Sequence, residues 1–310
     1  MADQGWTEGD VPSQEGRVFL VTGANGGIGY HTARVLAARG AQVVMACRRP
    51  EAGEEAAARL RAAQPGAHLE VERLDLGDLA SVEAVARGVG GRLSRLDVLV
   101  NNAGIMSVPR SLTVDGFERQ LAVNHLGHFA LTGRLLPLLL ASPQPRVVTV
   151  TSATYRVGRL DFADLQGERR YRPWRAYSAA KLANLLFTFE LDRRARSAGS
   201  ALLSLAAHPG YAGTGLQVNP ERRLPALLQR FWAWTNSHVA QDAATGALPT
   251  LRAATDPHAV GGALYGPSGP ISGPAVLART SARGRDPDTA RRLWEASEAL
   301  TGVKPSFPQL

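Results

Sequence analysis

Short apolar runs alternate along the chain with longer stretches in which apolar residues recur at helical spacing. The helical stretches cover 27–39, 51–63, 78–90, 116–140, 175–197 and 288–300, and Asp78 is the predicted N-cap of the third. Strand-like runs cover 17–22, 41–46, 68–74, 96–101, 146–151, 201–207 and 263–265. This alternation predicts an α/β fold with a doubly wound parallel sheet of about seven strands, flanked by helices on both faces and joined by right-handed crossovers.

The pattern runs on without an internal repeat or a low-complexity linker, which predicts a single domain over residues 16–310. Residues 1–15 form a polar N-terminal extension that lacks the basic and then apolar profile of a signal peptide. The glycine- and proline-rich stretch 261–274 predicts turns around the last strand.

The composition agrees with a globular protein of this size. Apolar residues make up 45% of the 310 residues, which is enough for a sizeable core. The longest apolar stretch, 135–141, contains Pro137 and is too short to cross a bilayer, so we expect no membrane span. Cys47 is the only cysteine; this excludes an internal disulfide and a cysteine-based zinc site, and it suits a reducing, cytoplasmic compartment.

The formal net charge is +8, a balance that can attract nucleic acid or an anionic membrane. The arginines are scattered along the chain rather than gathered into a block of like charges. We therefore predict a solvated arginine-rich surface and no nucleic-acid partner, with a basic field that helps to attract a phosphorylated cofactor.

Three glycines, Gly23, Gly27 and Gly29, lie between the first predicted strand and the first predicted helix. Glycine permits a tight turn there, and its missing side chain lets a pyrophosphate approach the backbone at the amide end of a helix. The alternative is an ordinary βα turn that binds no ligand. Because of its position, we favour a Rossmann-type cofactor turn with contacts from Gly23, Asn25, Gly27, Ile28 and Gly29.

The second predicted strand is followed by Arg48 and Arg49, and no acidic residue occurs before Glu51. A site specific for NAD usually has a carboxylate here that holds the ribose 2′-hydroxyl. Arg48 can instead pair with a 2′-phosphate through charge-assisted hydrogen bonds. We therefore predict NADP(H) in preference to NAD(H); the alternative is that both arginines are ordinary surface residues.

Tyr177 and Lys181 are one helical turn apart, and Ser152 follows a strand upstream of them. A tyrosine has an ordinary pKa of about 10, and a neighbouring ammonium lowers it by stabilising the phenolate. Such a phenol exchanges a proton with a carbonyl or alcohol oxygen that Ser152 holds by a hydrogen bond. The pair alone is weak evidence, since it also fits a helix with a core aromatic residue and a solvated lysine.

Together these residues resemble the short-chain dehydrogenase/reductase family along residues 15–300. The resemblance is carried by the glycine turn, Asn101-Asn102-Ala103-Gly104, Asn124, Ser152 and the Tyr177–Lys181 pair. Further stretches, at 124–129, 164–167, 177–184 and 208–211, resemble its retinol dehydrogenase-like and WW-domain oxidoreductase-like branch, as does a longer interval from Ser152 to Tyr177 than the family usually has. No N-terminal membrane anchor or WW domain is expected in this chain, which weakens the case for a membrane-dissolved retinoid substrate.

The resemblance implies hydride transfer between a nicotinamide and a carbonyl or alcohol carbon. Tyr177 would be the acid or base, Lys181 would lower its pKa and hold the nicotinamide ribose, Ser152 would orient the substrate oxygen, and Asn124 would position a water in a proton relay. The cofactor would also be contacted by Asp75, Leu76, Asn101, Asn102, Ala103, Pro209, Gly210 and Thr214.

Residues around 211–240 usually cover the substrate in this family. Here they include Phe231, Trp232 and Trp234, and Trp174 lies just before Tyr177. An aromatic cover predicts a bulky apolar ketone, aldehyde or alcohol as substrate. The alternative is that these rings fill the core or a subunit interface.

Other functions and partners follow from the same residues. His125 and His128 lack a third ligand at a helpful spacing, so we predict structural roles and no metal. A non-catalytic NADP-binding sensor or interaction protein, and a reductase of carbon–carbon double bonds, remain alternative functions. The helices at 116–140 and 175–197 pair between subunits in many family members, which makes a homo-dimer or homo-tetramer an open prediction.

Overall fold

The computed structural model describes residues 5–210, 243–269 and 272–308. These ranges contain one sheet of eight strands in the order β3-β2-β1-β4-β5-β6-β7-β8. All neighbouring pairs from β3 to β7 are parallel, and β8 runs antiparallel to β7. The strands are Val18–Thr22 (β1), Gln42–Cys47 (β2), His68–Arg73 (β3), Val98–Asn101 (β4), Arg146–Val150 (β5), Leu203–Ala207 (β6), Leu264–Pro267 (β7) and Ala275–Leu277 (β8).

The main helices in the described ranges are Gly27–Ala38 (α1), Pro50–Ala63 (α2), Leu79–Arg92 (α3), Arg119–Leu121 (α4), Gly127–Leu140 (α5), Pro173–Ser197 (α6), Ala243–Thr255 (α7) and Pro287–Thr301 (α8). Helix α4 continues into α5 through a π-helical turn, Ala122–Leu126, so the helix predicted over 116–140 begins later and changes its winding in the middle. The carboxylate of Asp78 accepts hydrogen bonds from the amides of Ala80 and Ser81, which confirms the predicted N-cap of α3.

The sequence did not predict two of the elements. Helix α7 contains Pro249, which interrupts the regular pattern of a helix, yet its face around Leu251 is buried and it packs against α1. Strand β8 has only three residues and follows a stretch rich in glycine and proline. Tertiary packing rather than local preference stabilises both elements.

Apolar side chains alternate between the two faces of the sheet, as the period of a β-strand requires. In β1, Phe19 and Val21 join the core beneath α1, α2 and α7, whereas Leu20 joins the core beneath α3, α5 and α6. Both cores are fully buried at these positions. The predicted doubly wound architecture is thereby confirmed, with one strand more than expected.

The last helix, α8, covers the neighbouring faces of α5 and α6. The ring of Trp294 lies 5.0 Å from that of Phe129 and 5.9 Å from that of Phe187, measured between centroids. A homo-dimer or homo-tetramer built on α5 and α6 would therefore use their remaining surfaces.

The N-terminal extension contacts the far edge of the sheet. Trp6 exchanges two backbone hydrogen bonds with Ala275 of β8, at 3.1 and 3.2 Å, and Glu8 forms an ion pair with Arg34 of α1. Within the described ranges, no helix combines the length and the apolar character needed to cross a bilayer.

Candidate active site

The residues singled out by the sequence meet at one edge of the sheet, where β1, β4 and β5 end. These three strands are neighbours, so the ends of all three lie side by side. The glycine turn follows β1, Asn102 and Ala103 follow β4, and Ser152 follows β5. In open parallel sheets, ligands bind outside the carboxyl ends of the strands, and this edge is therefore the candidate active site.

The glycine turn is built by close backbone contacts. Gly23 and Gly27 have φ values of +67° and +53°, a region that favours glycine. A Cβ on Gly29 would lie 2.4 Å from the carbonyl oxygen of Gly23 and 2.5 Å from Nδ2 of Asn102. The turn therefore needs glycine at these positions even before a ligand is considered.

The amino end of α1 suits a pyrophosphate. Its N-cap, Gly26, provides no side-chain hydrogen bond to the first turn, and a Cβ at this position would meet open space. Backbone amides and the helix dipole are thus presented to an approaching anion. This arrangement is compatible with the phosphates of a dinucleotide, and the contacts predicted from the sequence stay predictions.

The hydroxyl of Thr22 joins the turn to the loop after β4. It accepts hydrogen bonds from the amides of Asn102 and Ala103, both at 2.9 Å, and Nδ2 of Asn102 donates to the carbonyl of Thr22 at 2.7 Å. Asn101 instead directs its amide towards α5 and donates to Thr132 at 3.0 Å. The side chains of Asn101 and Asn102 therefore form hydrogen bonds within the protein. The sequence did not predict this structural role.

On the adenine side, Arg48 and Arg49 are exposed at the end of β2, and neither forms an ion pair with another described residue. The carboxylate of Asp75 accepts from the amide of Gly77 at 2.9 Å. Leu76 is buried beside Gly127, where an added Cβ would lie 2.3 Å from the carbonyl oxygen of Leu76. The positions of these residues are compatible with the predicted adenine contacts, which stay predictions.

Ser152 and Tyr177 are brought together as predicted. Ser152 caps the short helical turn Ala153–Val157 by accepting from the amide of Thr154 at 3.3 Å, and its side chain lies close enough to the Tyr177 hydroxyl to lower the pKa of Tyr177. Tyr177 lies in the second turn of α6 and is 5% exposed. Two hydroxyl groups therefore stand together at the end of β5, where a single substrate oxygen can contact both.

Lys181 lies one turn beyond Tyr177, and its Nζ is 5.8 Å from the centroid of the tyrosine ring. The ammonium donates to the carbonyl of Val150 at 3.1 Å. A Cβ on Gly104 would lie 3.4 Å from Lys181 Nζ and 2.8 Å from Asn124 Oδ1, so the three residues converge. The side chain of Asn124 exchanges two hydrogen bonds with the backbone of Ile105, at 2.8 and 3.0 Å.

The pKa shifts differ in part from the prediction. Burial raises the pKa of Tyr177 above its ordinary value of 10, although the hydrogen bond with Ser152 opposes this shift. Burial also lowers the pKa of Lys181 to about 8. Lys181 is not among the groups that shift the pKa of Tyr177 here, so the expectation that it lowers this pKa stays a prediction.

The two histidines are structural, as predicted. Both rings are buried, and burial lowers the pKa of His125 to about 4 and that of His128 to about 3. His128 Nδ1 lies 3.1 Å from the carbonyl oxygen of Asn124, which can only accept, so Nδ1 carries the proton. Its Nε2 then accepts from the hydroxyl of Thr22 at 2.9 Å. His128 thus connects the glycine turn to the π-helical turn that carries Asn124.

His208 shapes the loop after β6, as expected from its place before Pro209. Its Nδ1 accepts from the amide of Gly210 at 3.4 Å, and its ring packs against Gly266. Thr214 and the predicted substrate cover around 211–240, with Phe231, Trp232 and Trp234, lie outside the described residues. The described ranges contain no group of three or more histidine, cysteine, aspartate or glutamate side chains placed to hold a metal ion.

A second polar cluster near the site was not predicted. Glu118, Gln120 and Tyr171 form a buried or half-buried hydrogen-bonded group between the loop after β4 and the segment before α6. The sequence carried no signal for it, since the residues are far apart in the chain and belong to no recognisable motif.

The chain is similar in sequence and in fold to several known proteins. The profile of the family described as short chain dehydrogenase matches residues 17–223. Human retinol dehydrogenase 12 is 41% identical over 289 residues, which cover 93% of this chain and 87% of that protein. Mouse polyprenol dehydrogenase is 41% identical, with 94% and 86% covered. A crystal structure of an uncharacterised protein from Mycobacterium paratuberculosis superimposes with a TM-score of 0.81 at 45% identity, covering 98% of this chain and all of that one.

Proposed function

The chain belongs to the short-chain dehydrogenase family, and from this premise we propose that it is an NADP(H)-dependent oxidoreductase acting on a bulky apolar ketone, aldehyde or alcohol. The family and the retinol dehydrogenase-like branch make it an oxidoreductase of alcohol and carbonyl groups that uses a nicotinamide cofactor. The preference for NADP(H), the substrate class and the role of Tyr177 are our proposals.

One observation carries the proposal: the neighbouring hydroxyls of Ser152 and Tyr177 stand at the end of β5, with Lys181 and Asn124 beside them. When bound, the nicotinamide supplies or accepts the hydride. Ser152 holds the substrate oxygen, and Tyr177 exchanges a proton with it. Alignment of these groups is the main contribution of the protein.

The raised pKa of Tyr177 favours the reducing direction. A phenol that keeps its proton at neutral pH is ready to donate it to a carbonyl oxygen as that oxygen gains negative charge. Lys181, with its pKa of about 8, is still largely protonated at neutral pH. Its charge would stabilise the phenolate left behind, and we propose that Asn124, which lies beside Gly104 as Lys181 does, positions the water of the relay.

For the cofactor, we propose that the amides of the glycine turn hold the pyrophosphate and that Arg48 holds a 2′-phosphate. Arg48 is exposed and follows β2, next to the turn. Asp75 and Leu76 would border the adenine, Asn101, Asn102 and Ala103 would line its ribose, and Pro209, Gly210 and Thr214 would border the carboxamide end. The site therefore takes a dinucleotide along the carboxyl edge of the sheet.

For the substrate, support comes from the aromatic surroundings of Tyr177 and from relatives. Trp174 is 49% exposed, and its ring centroid lies 5.7 Å from that of Tyr177. Two relatives are named for retinol and polyprenol, both alcohols of long apolar molecules. We propose a substrate of similar apolar bulk. The single buried thiol, Cys47, remains consistent with our prediction of a reducing compartment, the cytoplasm.

The test is Tyr177→Phe assayed with NADPH against a panel of ketones and aldehydes. General acid catalysis contributes roughly 100- to 10,000-fold, so we expect turnover to fall by at least that lower factor while NADPH binding is retained. Tyr155→Phe is the matched control, because Tyr155 is also buried and its hydroxyl bonds the backbone of Ser281 instead. Near-normal turnover of Tyr177→Phe would overturn the mechanism.

The same assay separates the alternatives. Tight NADPH binding by the wild-type chain without turnover of any carbonyl would favour a sensor or interaction protein. Product analysis that finds a saturated carbon–carbon bond and an intact carbonyl would favour a double-bond reductase.

A further inference from the structure

Two backbone segments flank the Tyr177–Lys181 pair, and we call them the entrance walls. The first wall is residues 105–108, which follow Gly104 beside Lys181. The second wall is residues 171–174, which end at Trp174 beside Tyr177. Both walls therefore border the residues that would hold the substrate.

One end of each wall is hydrogen-bonded to a residue of the site or of the helix that carries it. Asn124 exchanges hydrogen bonds with Ile105 in the first wall. In the second, the hydroxyl of Ser178 donates to the carbonyl of Trp174 at 3.0 Å, within the same helix as Tyr177. Both walls are thus anchored beside the catalytic groups.

The side-chain amide of Gln120 joins the two walls directly. Its Oε1 accepts from the amide of Ser107 in the first wall at 2.7 Å, and its Nε2 donates to the carbonyl of Pro173 in the second wall at 2.9 Å. Gln120 is fully buried. One rigid amide group thus sets the separation between the two backbones.

Tyr171 reinforces this bridge. Its hydroxyl accepts from Gln120 Nε2 at 2.6 Å and lies 3.1 Å from the carbonyl of Val108 and 2.9 Å from Glu118 Oε1, both of which can accept its proton. Burial and the neighbouring carboxylate raise the pKa of Tyr171, so this donor keeps its proton. Glu118 in turn accepts from the amides of Gln120 and Leu121 and caps α4.

The conformation of the first wall indicates that the hydrogen bond to Gln120 holds a strained backbone in place. Ser107 has a φ of +53°, a left-handed conformation that is unfavourable for a residue with a side chain. Such a conformation persists where surrounding bonds impose it, and the bond to Gln120 comes from this same residue. Loss of the bridge would let the wall relax.

We propose that Gln120, supported by Tyr171, is a positioning residue that fixes the spacing of the entrance walls and so favours bulky apolar carbonyl compounds over small ones. The walls carry apolar side chains, including Ile105, Met106 and Val108 on one side and Trp174 on the other. This inference rests on the proposed oxidoreductase function and refines its substrate class. It also assigns a role to the long interval between Ser152 and Tyr177: part of it forms the second wall.

The test compares Gln120→Leu and the milder Tyr171→Phe with wild type. The readout is the ratio of kcat/KM for naphthaldehyde, a flat apolar aldehyde, to that for propanal, with NADPH saturating. We expect this ratio to fall about tenfold in Gln120→Leu, mainly through a higher KM for naphthaldehyde, and less in Tyr171→Phe. Gln14→Leu is the matched control, because Gln14 is a buried glutamine remote from the site, bonded to Pro12 and Ser13.

A second readout does not depend on activity. With 5-fluorotryptophan incorporated, the fluorine resonance of Trp174, assigned through Trp174→Phe, should shift in Gln120→Leu and stay in place in Gln14→Leu. An unchanged selectivity ratio with an unmoved resonance would overturn the proposal. If wild type reduces no carbonyl, the proposed function fails by itself, and the resonance alone decides whether Gln120 positions the wall.

Discussion

The glycine turn and the entrance walls both belong to the candidate active site, but they are built in opposite ways. At the turn, backbone meets backbone: Gly29 approaches the carbonyl of Gly23 so closely that a Cβ would lie 2.4 Å from it. At the walls, side chains separate the backbones, and Gln120 spans from Ser107 to Pro173.

This difference determines how each region responds to substitution. An added methyl group at the turn meets backbone atoms that cannot give way, so a substitution there costs much at once. At the walls each neutral hydrogen bond contributes only about 1 kcal/mol net. Substitutions at the walls should therefore have graded effects. They should alter substrate selectivity before they alter the free energy of unfolding.

The largest expected effect is at Gly29. In Gly29→Ala the new Cβ would collide with Gly23 and with the Asn102 amide, so we expect either loss of the folded state at ordinary temperature or loss of NADPH binding. In Gly26→Ala the Cβ enters open space, so the folded state should survive while NADPH affinity falls, since the phosphate approaches there. Thermal melts and NADPH titrations measure both effects.

This pair of variants can break the comparison between turn and walls. If Gly29→Ala had the melting temperature and the NADPH affinity of wild type, the turn would not depend on close backbone contact. Equal losses of stability in both variants would likewise show that the collision at Gly29 is not what matters.

The next largest expected effect is a loss of folding stability at low pH. It arises at the histidines that join the two regions. His128 links Thr22 of the turn to Asn124, and Asn124 binds the first wall. The folded chain holds His125 and His128 at pKa values of about 4 and 3, below the ordinary 6.5. As pH falls below 6.5, the unfolded chain takes up protons that the folded chain does not, so folding stability is lost.

Near pH 5 this loss amounts to about 2 kcal/mol for each buried ring. Denaturant unfolding between pH 7 and pH 5 measures it. His258→Gln serves as the control, since His258 is exposed, and its profile should match that of wild type. Constant stability across this interval would show that the two rings are not held neutral, and the link between the regions would then be different from the one described.

The same contrast explains what could be predicted from the sequence. The glycine turn, Ser152, Tyr177 and Lys181 are local patterns at the ends of elements, and the structure brings them together at one edge. Gln120 bonds to Pro173, 53 positions further along the chain, and nothing in the sequence around Gln120 marks it as a buried amide. The direction of the Tyr177 pKa shift depends on burial, which the spacing of Tyr177 and Lys181 does not encode.

The smallest expected effect tests whether a single side chain also matters on the cofactor side. Arg48 is exposed, so a charge-assisted bond to a 2′-phosphate is partly screened by solvent. We expect Arg48→Ala to weaken NADPH binding on the order of tenfold and NADH binding little, because NADH has no 2′-phosphate. Arg49→Ala is the matched control at the next position, and titration of both cofactors gives the ratio. Equal weakening of NADPH and NADH would mean that Arg48 does not contact the 2′-phosphate, and the cofactor side would then be defined by backbone alone. A loss confined to NADPH would make Arg48 the counterpart of Gln120: on both sides the backbone or the buried frame fixes the position, and one side chain decides which molecule is accepted.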